Sequence, residues 1–414
     1  MILTKAKLLL PQQSGFRPQH SCVTALTHVT DSWLSSINEG KMVGAMFIDL
    51  QKAFDSIDHS ILLEKLRIYG CNQMSIEWFT SYLSDRQQQV KFNEASSSFQ
   101  NIKLGVPQGS ILGPLMFLLF INDLPLHLSH CKSDIYADDT TIYVEGKNLK
   151  DIEDLLNIDA ASLYRWCIEN SLTINVKKTK CMLIATSQRM RTIKSSLQVY
   201  INNARVPVSS CEKLLGVHIQ DTMDWSSHVD YVSKLVKSNL YLLKRIRPYL
   251  SLHARKMFCN SYVYSHLDYL CTVWGNTTKE NLNRLLLHQK HAARLTLDDY
   301  NSESSKLFSK LNWLPIESRI AYNKEVLVYK ALTKMCPQYL KDLLPYQTNS
   351  VYNMRSEAQK KLYVPKVNYE IFRRSLTYSG PNLWNQLPQR IQSADSLAQF
   401  KKSCMQHHMT AAFP

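Results

Sequence analysis

The sequence predicts an α+β fold, mixed in its first half and mainly helical in its second. Three observations carry this. Residues 42–50, Met42-Val43-Gly44-Ala45-Met46-Phe47-Ile48-Asp49-Leu50, form a continuous apolar run interrupted only near its end by a carboxylate, which is how a strand buried on both faces reads. Residues 133–137 and 140–144 are strand-like and flank Asp138-Asp139, which reads as a tight hairpin turn. After about residue 225, apolar side chains recur at helical spacing, as with Val229, Val232, Leu235, Val236, Leu243 and Ile246.

The elements follow in order. Val23, Leu26, Val29, Trp33, Leu34 and Ile37 predict a helix over 22–38, stopped by Gly40. The apolar strand 42–50 comes next, then helices over 59–69 and 73–83. Gln88 to Phe92 and Phe99 to Leu104 read as strands, with 93–98 turning between them. Gly105-Val106-Pro107-Gln108-Gly109-Ser110 reads as a loop opening an apolar helix over 113–123. A helix is expected over 148–169, then a loop and a strand between 171 and 184. Short strands are expected over 197–219, with 213–219 the strongest, and a helix over 228–246. The change from mixed to helical pattern falls near 187–230, and a softer boundary is expected near 300. No internal repeat is visible.

The 414 residues carry 49 Lys/Arg against 34 Asp/Glu, a net charge of +15, with 45% hydrophobic residues. That composition supports a sizeable core and excludes a largely disordered chain. A charge of this size points to a polyanion, nucleic acid before an anionic membrane. Residues 187–260 hold 12 Lys/Arg and 4 Asp/Glu, so more than half of the excess lies in that segment. The ten cysteines form no CxxC pair and no array with structural-zinc spacing, so they are expected to be free thiols in a reducing compartment; Cys259/Cys271 with His288/His291 is the alternative metal set. The basic, apolar stretch 1–10 lacks a cleavage-site pattern, and the longest apolar run, 111–121, is too short to span a bilayer. A soluble, cytoplasmic or nuclear protein is expected.

Asp49, Asp138 and Asp139 stand where apolar strands end. A carboxylate in hydrophobic strand sequence is costly unless paired or bound to a metal. If the two strand regions lie side by side, the three converge, repel one another and raise their own pKa values. A divalent cation relieves that, and two Mg²⁺ ions about 4 Å apart can clamp the attacking and leaving oxygens of a phosphoryl transfer.

The ordered set of motifs resembles reverse transcriptases. Phe47-Ile48-Asp49-Leu50-Gln51-Lys52-Ala53-Phe54-Asp55 is similar to motif A, residues 105–114 to motif B, and Tyr136-Ala137-Asp138-Asp139 to motif C. Asn175-Val176-Lys177-Lys178-Thr179-Lys180 resembles motif D, and Leu214-Leu215-Gly216-Val217 motif E, the primer grip. The wording is closest to non-LTR retrotransposons of the LINE type, the jockey and Rex kind, and 379–388 resembles the end of those polyproteins. The resemblance covers about residues 13–405.

It implies a right-hand polymerase: palm with partial fingers, then a mainly α-helical thumb and a C-terminal extension. The expected division is a fingers remnant over 1–41, a palm over 42–186, primer-grip strands over 187–225, a thumb over 226–300 and the extension over 301–414. The implied function is RNA-directed DNA polymerase, adding dNTPs to a DNA primer on an RNA template. Asp49, Asp138 and Asp139, with the Leu50 carbonyl, would hold two Mg²⁺ ions, with Mn²⁺ as an alternative. Phe54 would exclude ribonucleotides at the sugar 2′-position. Gln108 and Gly109 would line the nucleotide pocket, with Arg17 contributed by the fingers. Lys178 would protonate or neutralise the leaving pyrophosphate, in competition with Lys177 and Lys180. Leu214, Leu215 and Gly216 would grip the primer. Asp55, Asp58 and Asp123 read as structural: Asp123 ends the 113–123 helix, and the other two cap or turn the chain.

The family has a longer fingers region, and its full-length elements carry an apurinic-type endonuclease upstream. Only 48 residues precede Asp49. The expectation is therefore an N-terminally truncated copy, possible partner of a full-length element protein, and weakened in nucleotide binding. The alternative is an inactive nucleic-acid-binding remnant.

Overall fold

The computed structural model describes residues 8–347 and 361–413, so most of the basic, apolar stretch 1–10 lies outside the described residues. The chain divides into two compact units, Met1–Ser21 with Lys41–Ser210, and Cys22–Gly40 with Cys211–Pro414.

The first unit is built on a four-stranded antiparallel sheet. Its strands run in the order Lys132–Tyr136, Asp139–Gly146, Met42–Ile48, Lys180–Ile184. Met42–Ile48 is central, which explains its unbroken apolar sequence: ladders occupy both edges and all but one of its residues are buried. Met42, Met46 and Ile48, with Ile142 and Val144, share a core with Ile152, Leu156, Ala160 and Leu163 of helix Leu149–Glu169. The same core includes Met116, Phe117 and Phe120 of helix Leu112–Ile121, which is apolar all round because it is buried.

Three sequence expectations change here. The 93–98 stretch does not simply turn: Asn93-Glu94 turns, and Ala95–Ser96 already pairs back with Lys91–Phe92. Beyond it Gln100–Asn101 pairs with Gln87–Gln88, and Leu104 makes a lone antiparallel bridge with Asp58. All residues of the two short ladders are exposed, so no core extends them. Residues 213–219 form a hairpin rather than one strand, Cys211–Leu214 with Val217–Gln220. Leu215 and Gly216 both have positive φ, the geometry of a tight two-residue turn. The hairpin after Tyr136 turns at Ala137-Asp138, and Asp139 is already the first residue of the returning strand.

The second unit is mainly helical. Helix Ser226–Ile246 buries Val229, Val232, Val236, Leu240 and Leu243, and exposes Lys234, Lys237, Lys244 and Arg245. It packs against helix Lys279–Leu297. A further core joins Val328 and Tyr329 of helix Ile316–Leu332 to Leu376 and Trp384 of helix Leu376–Gln386 and to Phe400 and Cys404 of helix Leu397–Ala412.

Helix Cys22–Asn38 belongs to this unit, whereas the sequence grouped residues 1–41 as one segment. The reason is a capping interaction. The buried Asp31 carboxylate accepts from the Leu376 amide at 2.9 Å and the Thr377 amide at 2.6 Å, satisfying the N-terminus of helix Leu376–Gln386. The Thr377 hydroxyl donates to the same oxygen at 2.7 Å. At the helix's other end, Asn38 Oδ1 accepts from the Asn368 amide at 2.8 Å.

All ten cysteines are free, six of them buried. Among the described residues, no helix is long and apolar enough to cross a membrane.

Candidate active site

Register brings the motif carboxylates together. Ile48 faces Thr140 across the ladder, so one step further Asp49 is opposite Asp139, and Asp138 sits beside it in the turn. Asp139 is exposed at its outer edge yet lies over the packed end of the sheet. Desolvation there, and then the charges of Asp138 and Asp49, push its carboxyl above the ordinary carboxylate range. No cationic side chain offsets them in that shift. The three residues form a patch of like charge that a divalent cation would relieve, and their donors are the hard oxygens Mg²⁺ prefers.

The backbone around Asp49 is held from one side. Its carbonyl accepts from the Asn175 amide at 2.8 Å, and the Gln51 amide donates to the Thr173 carbonyl at 2.8 Å. These two bonds flank the antiparallel bridge between Leu50 and Ile174. In such a pair the central residue's own carbonyl points away from its partner, so the Leu50 carbonyl faces away from residue 174. The Asp49 amide donates to the buried Thr179 hydroxyl at 3.2 Å.

The Gly105–Ser110 loop is pinned to the chain after Asp49. The Gly105 amide donates to the Ile57 carbonyl at 2.7 Å, and the Val106 amide to the Phe54 carbonyl at 2.9 Å. His59 Nε2 lies 2.7 Å from the Gly105 carbonyl. Gly105 has φ +84°, and a Cβ there would lie 2.7 Å from the Asp55 backbone, so only glycine fits. Gln108 Nε2 donates to Asp55 Oδ1 at 2.8 Å. Gly109 has φ +77° and open space around it. Phe54 is half-buried and stacks on Phe117, ring centroids 4.4 Å apart.

The other residues singled out in the sequence are placed as follows. Lys178 is exposed on the turn between Asn175 and Thr179, its amide donating to the Asn175 carbonyl at 3.1 Å. Lys180 Nζ donates to the Lys177 carbonyl at 3.0 Å. Arg17 Nη1 donates to the carbonyls of Leu10 and Gln13, both at 2.7 Å, so this nitrogen ties its own segment together. Leu214, Leu215 and Gly216 lie in the second unit, where the Tyr269 hydroxyl donates to the Leu215 carbonyl at 2.9 Å. Asp58 caps helix His59–Ile68 through the Ser60 and Ile61 amides, and Asp123 pairs with Lys65 at 2.7 Å. Asp55 lies in the turn after Asp49, its amide donating to the Lys52 carbonyl at 2.8 Å, and its carboxylate also holds Gln108. Cys259 meets Thr296 at 3.3 Å and Cys271 meets Asn323 at 3.3 Å, so neither pairs with a histidine there.

Sequence reasoning missed the support under the Ala137-Asp138 turn. Ala137 has φ +59°, uncommon for a residue with a Cβ. Its amide donates to Oε1 of the buried Gln13 at 3.3 Å, which also accepts from the Gly15 amide at 2.8 Å. The Ser14 amide donates to the Ile135 carbonyl at 2.8 Å. A Cβ on Gly15 would lie 2.5 Å from the Ala137 nitrogen.

A family model described as reverse transcriptase (RNA-dependent DNA polymerase) matches residues 1–231. The probable RNA-directed DNA polymerase from transposon BS of Drosophila melanogaster is 26% identical over 335 residues, 77% of this chain and 36% of the relative. The RNA-directed DNA polymerase from mobile element jockey of the same species is 26% identical over 292 residues, 68% of this chain and 31% of the relative. The chain thus spans about a third of the length of these curated relatives. Among solved structures, apo telomerase from Candida tropicalis overlaps 81% of this chain and 57% of its own, with a TM-score of 0.40 and 14% identity.

Proposed function

The chain belongs to the reverse transcriptase family, and on that premise we propose that it is the RNA-directed DNA polymerase domain of a non-LTR retrotransposon. It adds dNTPs to a primer 3′-hydroxyl on an RNA template. The observation that carries this reading is the register placing Asp49 opposite Asp139, with Asp138 beside them.

In the reaction the primer 3′-hydroxyl attacks the α-phosphate of a dNTP and pyrophosphate leaves. Asp49, Asp138, Asp139 and the Leu50 carbonyl are the residues that would hold two Mg²⁺ ions, which when bound neutralise charge on the attacking and leaving oxygens. The like-charge patch and its all-oxygen donors fit such ions. Phe54, fixed against Phe117 and by its own carbonyl, presents its ring at the nucleotide sugar and excludes a 2′-hydroxyl. Gln108 and Gly109 line the nucleotide pocket, with Asp55 positioning Gln108. Lys178, exposed on its turn, gives a proton to the leaving pyrophosphate, and Arg17 contributes to triphosphate binding. Leu214, Leu215 and Gly216 grip the primer. The exposed lysines of helix Ser226–Ile246 draw the template and primer phosphates.

The test is primer extension by the purified chain on an RNA template with Mg²⁺ and dNTPs, beside Asp138→Asn/Asp139→Asn. Losing several kcal/mol of charge stabilisation should lower extension on the order of 10³-fold or more, with RNA binding retained. Extension undiminished in the double variant would sink the site. Absent extension in the parent chain, with salt-sensitive RNA binding, would identify a binding remnant instead.

A further inference from the structure

Helices Ile316–Leu332 and Leu397–Ala412 pack against each other in the second unit. Their contact brings together three side chains that the polymerase reading does not use. Cys404 Sγ donates to Glu325 Oε2 at 2.9 Å, and His408 Nε2 lies 2.6 Å from the same oxygen. The three ligand atoms all lie within 4.8 Å of one another. Among the described residues this is the set of three His, Cys, Asp or Glu side chains whose ligand atoms lie that close. Glu325 is 2% exposed and Cys404 is fully buried, while His408 reaches the rim.

The placement follows from helix geometry. Cys404 and His408 are four residues apart, so they lie one turn apart on one face. Glu325 enters from the facing helix. One buried Glu325 carboxylate oxygen thus meets both the Cys404 thiol and the His408 imidazole, so the three ligand atoms converge between the two helices. Thiolate, imidazole and carboxylate are the ligand types of zinc, and the soft sulfur disfavours Mg²⁺ and Ca²⁺. Zinc–ligand bonds of about 2.0–2.3 Å put tetrahedral ligand atoms about 3.3–3.8 Å apart. Glu325 Oε2 therefore needs to withdraw by roughly 1 Å or less from its two partners.

We propose that Glu325, Cys404 and His408 form a zinc site that clasps the C-terminal helix to helix Ile316–Leu332. Zn²⁺ enters as the Cys404 thiol proton leaves to solvent. His408 binds as neutral imidazole through Nε2 and Glu325 as carboxylate, with water completing the coordination at the His408 rim. The site is independent of polymerase activity.

The test is titration of the metal-stripped full chain with Co²⁺, followed by displacement with Zn²⁺. A thiolate-to-cobalt charge-transfer band should rise to saturation at one equivalent and vanish on adding Zn²⁺. Cys404→Ser should remove the band. The aspartate site, having only oxygen donors, cannot produce one. Loss of an outer-sphere partner alone typically weakens metal binding about 10–100-fold, so His408→Gln should weaken zinc at least about 100-fold. Zinc should also raise the melting temperature of the parent chain and not of His408→Gln. No band in the parent chain overturns the proposal, as does a band unchanged in Cys404→Ser. Should Cys404→Ser fail to fold, an unaltered zinc affinity in His408→Gln overturns it equally.

Discussion

Asp139 in the first unit and Asp31 in the second are both pushed above the ordinary carboxylate range, chiefly by burial, yet they are built for opposite ends. Around Asp31 the protein supplies compensation: the Thr377 hydroxyl, the Leu376 and Thr377 amides, and the charge of Lys324. Lys324 is itself buried, brought down to about 7 by desolvation, and hydrogen-bonded to Asn276. Around Asp139 the neighbours that act are Asp138 and Asp49, which make matters worse. Asp159 sharpens the contrast. Burial pushes its carboxyl up, but the amides of Cys131, Ser129 and His130 outweigh that and hold it below the ordinary range. A carboxylate surrounded by donors holds the fold together; one surrounded by other carboxylates carries a repulsion that a cation would relieve.

The comparison breaks most readily by replacing one member of each pair. Asp31→Asn removes the charge beside Lys324 and part of the helix cap, and should destabilise the chain by about 3 kcal/mol in urea unfolding. Asp139→Asn should do the reverse in the metal-free chain: relief of repulsion raises stability slightly, by less than about 1 kcal/mol because water screens an exposed group. The same substitution should abolish extension. Two destabilised variants of similar size would show that the aspartate patch is structural after all.

Acid response probes His228 in the second unit. Burial, then the charges of His218 and Lys213, lower the His228 pKa to about 4. An unfolded histidine takes its proton near 6.5. The stability from keeping His228 neutral is thus present above about 6.5 and lost as pH falls towards 4, at up to about 1.4 kcal/mol per pH unit. His228→Gln should flatten that slope, measured as urea midpoints between pH 7 and 4. An unchanged slope would remove His228 as its source.

A further expected effect concerns Phe54. Phe54→Val keeps part of the contact with Phe117 while opening the sugar pocket, and should lower the dNTP-over-rNTP preference by roughly 10–200-fold in single-nucleotide extension. Unchanged selectivity in an active variant would take the role from Phe54 and leave it as a packing residue.

Much of the local structure was legible in both units. Helix Cys22–Asn38, the central strand Met42–Ile48 and the hairpin carrying Asp138 follow from periodicity and turn chemistry, which are local. What was not legible depended on partners remote in sequence. Asp55 was legible as a turn residue, but not as the partner of Gln108, which lies 53 residues on. Gln13 gave no signal, since its contact with Ala137 spans 124 residues. The meeting of Cys404 and His408 with Glu325 gave no signal, since Glu325 lies 79 residues from Cys404. The 93–98 turn was misplaced because exposed two-residue ladders carry no apolar alternation to read.

The sequence by itself determined the order of the candidate residues, Asp49, Gln108, Asp138-Asp139 and Lys178, and the apolar runs that deliver each carboxylate to the end of a strand. Those features are encoded in neighbours, where residue type and spacing suffice. Tertiary structure alone decided the register that sets Asp49 opposite Asp139 and the Gln13 brace beneath their turn. It also decided the docking of helix Cys22–Asn38 onto a helix 345 residues downstream. Those choices follow from which buried polar groups can find partners once the chain has collapsed, and a partner hundreds of residues away leaves no local trace.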